Sequence, residues 1–243
     1  MTFSLLAYDD TEHAWGGVAA TGSLCVGGWV LRGDQSAGVS ASQGRAPSTF
    51  WGEDVLGKQR DGQSAAQALS ATVNCDPGRE HRQLATVDCQ GRAAAFTGNA
   101  NGLYRGQIVS KSVVVCGNIL AGPEVLEVML DAFMQREETL ERRMLAALSA
   151  AQSAGGDTRG LSSAALLRVS ADRAPLTLRV DMSDAPIEAL YRCFEATQDL
   201  SYAHWLETVP IADAPFRTDE QTFETKSHQW DVPTIPTSKP ASG

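Results

Sequence analysis

The opening stretch, Thr2-Phe3-Ser4-Leu5-Leu6-Ala7-Tyr8, is strand-like and almost wholly apolar. Successive side chains of a strand point to opposite sides, so a strand with apolar residues on both faces needs cover on both. Asp9-Asp10-Thr11-Glu12 makes a short polar turn, and Trp15-Gly16-Gly17-Val18-Ala19-Ala20-Thr21 reads as the returning arm of a hairpin. A sheet enclosed between other layers is therefore where the fold has to start.

The next segments supply those layers. Between Gly16 and Gly44, Leu24-Cys25-Val26, Trp29-Val30-Leu31 and Ala37-Gly38-Val39 fit short strands split by turns. Pro47 opens a helix carrying Phe50, Trp51, Val55 and Leu56, and Ser64 to Leu69 starts another that ends near Asp76-Pro77-Gly78. Leu84 to Asp88 and Arg92 to Thr97 form a second hairpin about Gln90-Gly91, followed by a strand over Val113 to Cys116. Pro123 begins a helix with Val125, Leu126, Met129, Leu130 and Phe133 at helical spacing, and Leu140, Met144, Leu145 and Leu148 continue into one closed by Gly155-Gly156. Strands over 163–169 and 176–180 and a helix from Pro186 to Thr197 complete the series.

Strands, two helices, strands, two helices, strands, helix: this order argues against alternating βαβ units. It is satisfied by an α+β, four-layer αββα sandwich of two stacked, mainly antiparallel sheets, occupying residues 1–198. From about residue 199 the character changes, with five of the ten prolines, and 199–243 reads as a partly irregular extension. Trp205, Phe216, Phe223 and Trp230 are candidate anchors for strapping it over the body or a neighbouring subunit.

A net charge of -9 opposes phosphate backbones and anionic lipid surfaces, so neither nucleic acid nor membrane is an expected partner. With no basic leader and no long apolar run, the expected compartment is the cytoplasm. Cys25, Cys75, Cys89, Cys116 and Cys193 are odd in number and lack a C-x-x-C pair, while His13, His81, His204 and His228 are scattered. No disulfide framework, metal site, cofactor or Ser-His-Asp triad is expected.

Chemistry instead points to Thr2. Removal of Met1 makes it the first residue, placing a hydroxyl and a primary amine on adjacent carbons, so nucleophile and proton acceptor reside on one residue. A retained methionine acylates that amine and forbids the reaction.

Several phrases in one order then add up: Thr2-Phe3-Ser4, residues 76–83 (DPGREHRQ), Phe96-Thr97-Gly98, residues 117–125 (GNILAGPEV), and residues 155–160 (GGDTRG) before Ser163-Ala164-Ala165-Leu166. From about Thr2 to Val180 the chain resembles the domain-of-unknown-function 1028 family, grouped by fold with the N-terminal-nucleophile hydrolases. The resemblance implies an αββα fold and an amide-bond hydrolase. The layout is also similar to that of proteasome-type subunits, with Ser42-Gln43-Gly44 as the Ser-x-Gly phrase before the first long helix. It departs from them where a lysine should neighbour the threonine, since Trp29, Val30, Leu31 and Arg32 stand there.

For the oxyanion formed by attack of Thr2, the candidate donors are the Gly44 N–H and the Asn118 side chain. The plainer alternatives are a turn at Gly44 and a strand-end cap at Asn118. Gln43 and Ser42 are candidates to line the pocket. In the glycine-bounded loop, Arg159 either grips a substrate carboxylate while Asp157 orients the terminal amine, or the two form an ion pair that fixes the loop. The expected activity is hydrolysis of an amide bond in a small, anionic, nitrogen-containing molecule by a homo-oligomer. The alternative is an inactive relic of the fold that binds a small ligand or serves as a scaffold.

Overall fold

The computed structural model describes residues 2–135, 137–156 and 160–218. Its first hairpin joins β1 (Thr2–Asp9) to β2 (Ala14–Thr21), with Thr2 opposite Thr21 and Asp9 opposite Ala14. A one-turn helix α1 (Val26–Trp29) leads to β3 (Leu31–Asp34) and β4 (Gly38–Gly44), then to helices α2 (Thr49–Arg60) and α3 (Ala65–Val73). Strands β5 (Arg82–Asp88), β6 (Ala93–Thr97), β7 (Gly106–Ser110) and β8 (Val113–Asn118) precede helices α4 (Glu124–Met134) and α5 (Leu140–Ser153). The chain closes with β9 (Ser163–Ser170), β10 (Leu176–Val180), α6 (Pro186–Ala196) and α7 (Leu200–Leu206).

Two sheets result, ordered β10-β9-β2-β1-β8-β7 and β3-β4-β5-β6, and the strand pairings are antiparallel. Three apolar clusters give the layering. Phe3, Leu5 and Ala7 pack with Met129 and Phe133 of α4, Met144 and Leu148 of α5, and Leu190 of α6. On the opposite face of the same strand, Leu6 joins Val39, Ala41, Ala85 and Val87 of the second sheet. Trp51, Val55 and Leu56 of α2 and Ala68 of α3 close over Leu84 from the far side. The fold is thus the four-layer αββα sandwich, with β1 central in its sheet and fully covered, as its two apolar faces require.

Some local expectations are corrected. Residues 24–26 are not a strand: Cys25 N–H donates to the Asp181 carbonyl and Val26 N–H to Ser163 Oγ, bonds from elsewhere in the fold that turn the segment into α1. Strand β7, an edge strand with little burial, carries no expectation, and helix α7, which has no buried residue, stands at the start of the segment read as a partly irregular extension. Trp205 rests against Tyr202, whereas Phe216 is 92% exposed among the described residues. Phe223 and Trp230 lie outside the described residues. No helix among the described residues is long and apolar enough to cross a membrane.

Asp88 ties the second sheet to its helices. Its carboxylate accepts from Ala65 N–H at 2.9 Å, at the first turn of α3, and from Arg92 Nε at 2.7 Å, while its carbonyl accepts from Trp15 Nε1 of the other sheet. Burial alone raises its pKa, but the hydrogen bonds from Ala65, Arg92 and Gln90 outweigh this and hold the carboxyl below its usual 3.8. Asp88→Ala strands the buried Ala65 N–H and is expected to cost about 2 kcal/mol in urea unfolding at neutral pH. A depressed folded pKa makes that contribution complete above the ordinary carboxylate value and lost as pH falls through the folded one, so the gap between wild type and variant should shrink below about pH 4.

Candidate active site

Strand alternation decides what surrounds Thr2. Phe3, Leu5 and Ala7 face the helices, which turns Thr2, Ser4 and Leu6 toward the second sheet. Thr2 stands at the end of β1, opposite Thr21 on one side and Asn118 on the other. Its hydroxyl donates to Thr21 Oγ1 at 3.2 Å, and the residue is 8% exposed at the rim of the space between the sheets. The neighbouring loop is held by Ser163, whose hydroxyl donates to the Ser23 carbonyl while accepting from Val26 N–H.

Beneath Thr2 lies a chain of buried amides and hydroxyls. Ser4 Oγ donates to Gln43 Oε1 at 2.7 Å and lies 3.3 Å from Cys116 Sγ. Gln43 Nε2 reaches the Thr2 carbonyl at 3.4 Å and Gln83 Oε1 at 3.1 Å. Gln83 Oε1 also accepts from Asn118 Nδ2 at 2.7 Å, and Gln83 Nε2 donates to the Gly117 carbonyl at 2.8 Å and to Thr97 Oγ1 at 3.0 Å. Gln43, Gln83 and Asn118 are all essentially inaccessible. These contacts bridge the two sheets at the end of β1, through Ser4 and Thr2 on one side and Gln43 on the other.

Of the residues singled out in the sequence, the structure brings Thr2, Gln43 and Asn118 together. Gly44 follows Gln43 directly. Ser42 N–H donates to the Val30 carbonyl, on the β3 side, so alternation turns the Gly44 N–H that way too, beyond Leu31, the first residue of β3. Gly44 has φ +136°, and a Cβ there would stand 2.6 Å from the His81 carbonyl and 2.8 Å from Asn101 Oδ1, so the position admits no side chain. Ser42 is a correction: its hydroxyl donates to the Ser48 carbonyl, on the face of β4 that carries Ser40 toward α2, which removes it from the pocket it was expected to line. Asp157 and Arg159 lie outside the described residues.

Ser4 and Gln83 do more than their sequence positions suggest. Ser4 is two residues from Thr2 and so shares its face, and Gln83 is a polar residue next to the apolar Leu84-Ala85 of a buried strand; those are the signals that find them. Asn101 is another: its amide donates to the Arg82 and Gly98 carbonyls and its oxygen accepts from Arg45 N–H, fixing the turn after Gly44.

Among the described residues, the network from Ser4 to Asn118 contains hydroxyls, carboxamides and one thiol, with no formal charge. Arg32, the cation nearest the expected lysine position in sequence, is held by Glu53 at 2.7 Å. Burial, only partly offset by the Ser4 hydroxyl, pushes the Cys116 thiol from its usual 9.0 up to about 11. Among the described residues, no group of three or more His, Cys, Asp or Glu could hold a metal ion.

A family model described as a family of unknown function, DUF1028, matches residues 2–190. The crystal structure of protein SPO2555 from Silicibacter pomeroyi, assigned to the same family, is 49% identical, with a TM-score of 0.86 over 89% of this chain and 98% of that one. Eukaryotic HslV from Trypanosoma brucei is similar at 11% identity and a TM-score of 0.46, over 69% of this chain and 99% of that one, too slight a likeness to carry an argument. No curated protein matches the chain.

A thiol held near 11 is protonated and unreactive at neutral pH. Treatment of the native protein with an alkylating reagent at pH 7.5 is expected to label the exposed Cys75, Cys89 and Cys193 and to leave Cys116 unlabelled until the protein is denatured, as read by peptide mass mapping.

Proposed function

This chain belongs to the DUF1028 family, and we propose that it is an N-terminal-nucleophile amidohydrolase that cleaves a C–N amide bond of a small molecule through Thr2. The observation that carries this reading is the setting of the Thr2 hydroxyl: it lies at the end of β1 beside a buried polar network between the two sheets, hydrogen-bonded to another hydroxyl, and the partners in that network among the described residues include no histidine, carboxylate or lysine. A nucleophile so placed draws on its own α-amine as the base.

Cleavage of the Met1–Thr2 bond frees that amine, whose ordinary pKa of about 7.7 to 8.0 leaves a good share neutral near pH 7.5. The amine takes the hydroxyl proton, directly or through one water, and Oγ1 attacks the substrate carbonyl. The Gly44 N–H is the leading candidate to receive the developing oxyanion, one such donor being worth roughly 100- to 1000-fold in rate. Collapse expels the amine product, which takes up the transferred proton and leaves a Thr2 ester. Water, deprotonated by the same α-amine, then hydrolyses the ester to the carboxylic acid and restores the threonine. Gln43 lines the floor beside the Thr2 carbonyl, and Arg159 and Asp157 keep the substrate-gripping and amine-orienting roles suggested by their place in the sequence.

A cleft that binds without turnover is the competing reading, favoured by the 8% exposure of Thr2. The two part on a mixed set of short amides and lactams. Hydrolysis is expected to show a burst of amine product and to fall at least 1000-fold in Thr2→Ala, with Thr2→Ser retaining part of the rate. Binding of a set member with no turnover, and no difference between wild type and Thr2→Ala, would favour the inactive cleft.

A further inference from the structure

Asn118 holds one detail that an oxyanion donor does not explain. Its Nδ2 donates to Gln83 Oε1 at 2.7 Å, while its Oδ1, on a fully buried side chain, accepts no hydrogen bond among the described residues. This orientation is fixed from the far end of the network. The Gly117 and Gly106 carbonyls can only accept, so Gln83 must present Nε2 to them and Oε1 to its other neighbours. Facing Gln83 Oε1, Asn118 must offer its NH2 group, and its oxygen is left turned away. A buried carbonyl without a donor is unfavourable, and native interiors rarely keep one without a purpose.

The backbone indicates which donor suits it. Tyr8 N–H donates to the Ser112 carbonyl on the β8 side, so alternation along β1 turns the nitrogens of Leu6, Ser4 and Thr2 toward β8 as well. The partner of Thr2 on that side is Asn118, and directly opposed residues project their side chains from the same face, about 5 Å apart. As an amide, the Thr2 nitrogen has a single hydrogen to give. As a free terminus it has two or three.

We propose that Asn118 is a positioning residue for the terminal amine: Oδ1 accepts a hydrogen bond from the freed Thr2 nitrogen and fixes how its lone pair meets the Thr2 hydroxyl. The inference rests on the reading of Thr2 as an N-terminal nucleophile and gives Asn118 the part of acceptor. The chain from Gly117 through Gln83 to Asn118 then serves to aim one oxygen. Among the described residues of this network, only Cys116 titrates, and at neutral pH it is uncharged.

The test uses full-length protein released from an N-terminal fusion, so that Thr2 is the first residue whatever the cell's own processing does. The pH dependence of α-amine acylation by acetic anhydride, read as the mass of the first peptide, reports where the amine titrates. Asn118→Leu removes the acceptor for the ammonium and is expected to lower that pH by about one unit; Asn118→Asp puts an anion in the same shape and is expected to raise it by about one or more. Should Asn118→Leu fail to fold, as judged by thermal melting, Asn118→Asp decides alone. Titration of folded variants at the wild-type pH overturns the inference. The hydrolase reading is judged separately in the same samples with the amide set: shifted titration without turnover spares the inference and sinks the hydrolase, and turnover with unshifted titration does the reverse.

Discussion

The hydrogen-bonded pair of carboxamides, Gln43 of one sheet and Gln83 next to it, sets the character of this end of the sandwich. Two buried sheets pack most simply by interdigitating apolar side chains, as Leu6, Val39, Ala41, Ala85 and Val87 do a few residues away. At the first residues of β1 that packing is replaced by amides and hydroxyls, reached by Ser4 on one side and Asn118 on the other. Inaccessible polar groups are tolerated when their hydrogen bonds are met, and a satisfied network holds its members more rigidly than apolar contacts do. The floor under Thr2 is thereby stiff and polar, and uncharged among the described residues.

Strand alternation divides the labour along β1. The odd-numbered residues Phe3, Leu5 and Ala7 belong to the core with α4, α5 and α6, whereas Thr2 and Ser4 belong to the polar gap. A slip of one residue in register would exchange the two sets and drive hydroxyls into the helix layer, so the stability of the core itself holds Thr2 in place. Placing a reactive group at the end of a fully covered central strand also means that the fold, not a loop, fixes its position.

Much of this is legible in the chain. The two-faced apolar character of β1, the paired hairpins and the helical spacing of Val125, Met129 and Phe133 are local patterns, and the layering follows from their order. Thr2 is conspicuous because a hydroxyl and an amine on one residue is a chemical feature that needs no structure to see. Gln83 and Ser4 are harder to read, because their meaning depends on which residue of another sheet stands opposite, and that is a matter of long-range register. The same limit explains Ser42: its neighbour Gln43 faces Thr2, and alternation alone turns Ser42 to the helices. Segment 24–26 defeats a local reading for a related reason, since its backbone bonds are supplied by Ser163 and Asp181, more than 130 positions away.

The account depends on an amine that exists only if the first peptide bond is cut. Intact mass and N-terminal sequencing of the protein isolated from its native cells test this directly. The account predicts a chain that begins at Thr2 with a free, unblocked amine. A chain that keeps its methionine, or carries an acyl group on Thr2, contradicts it.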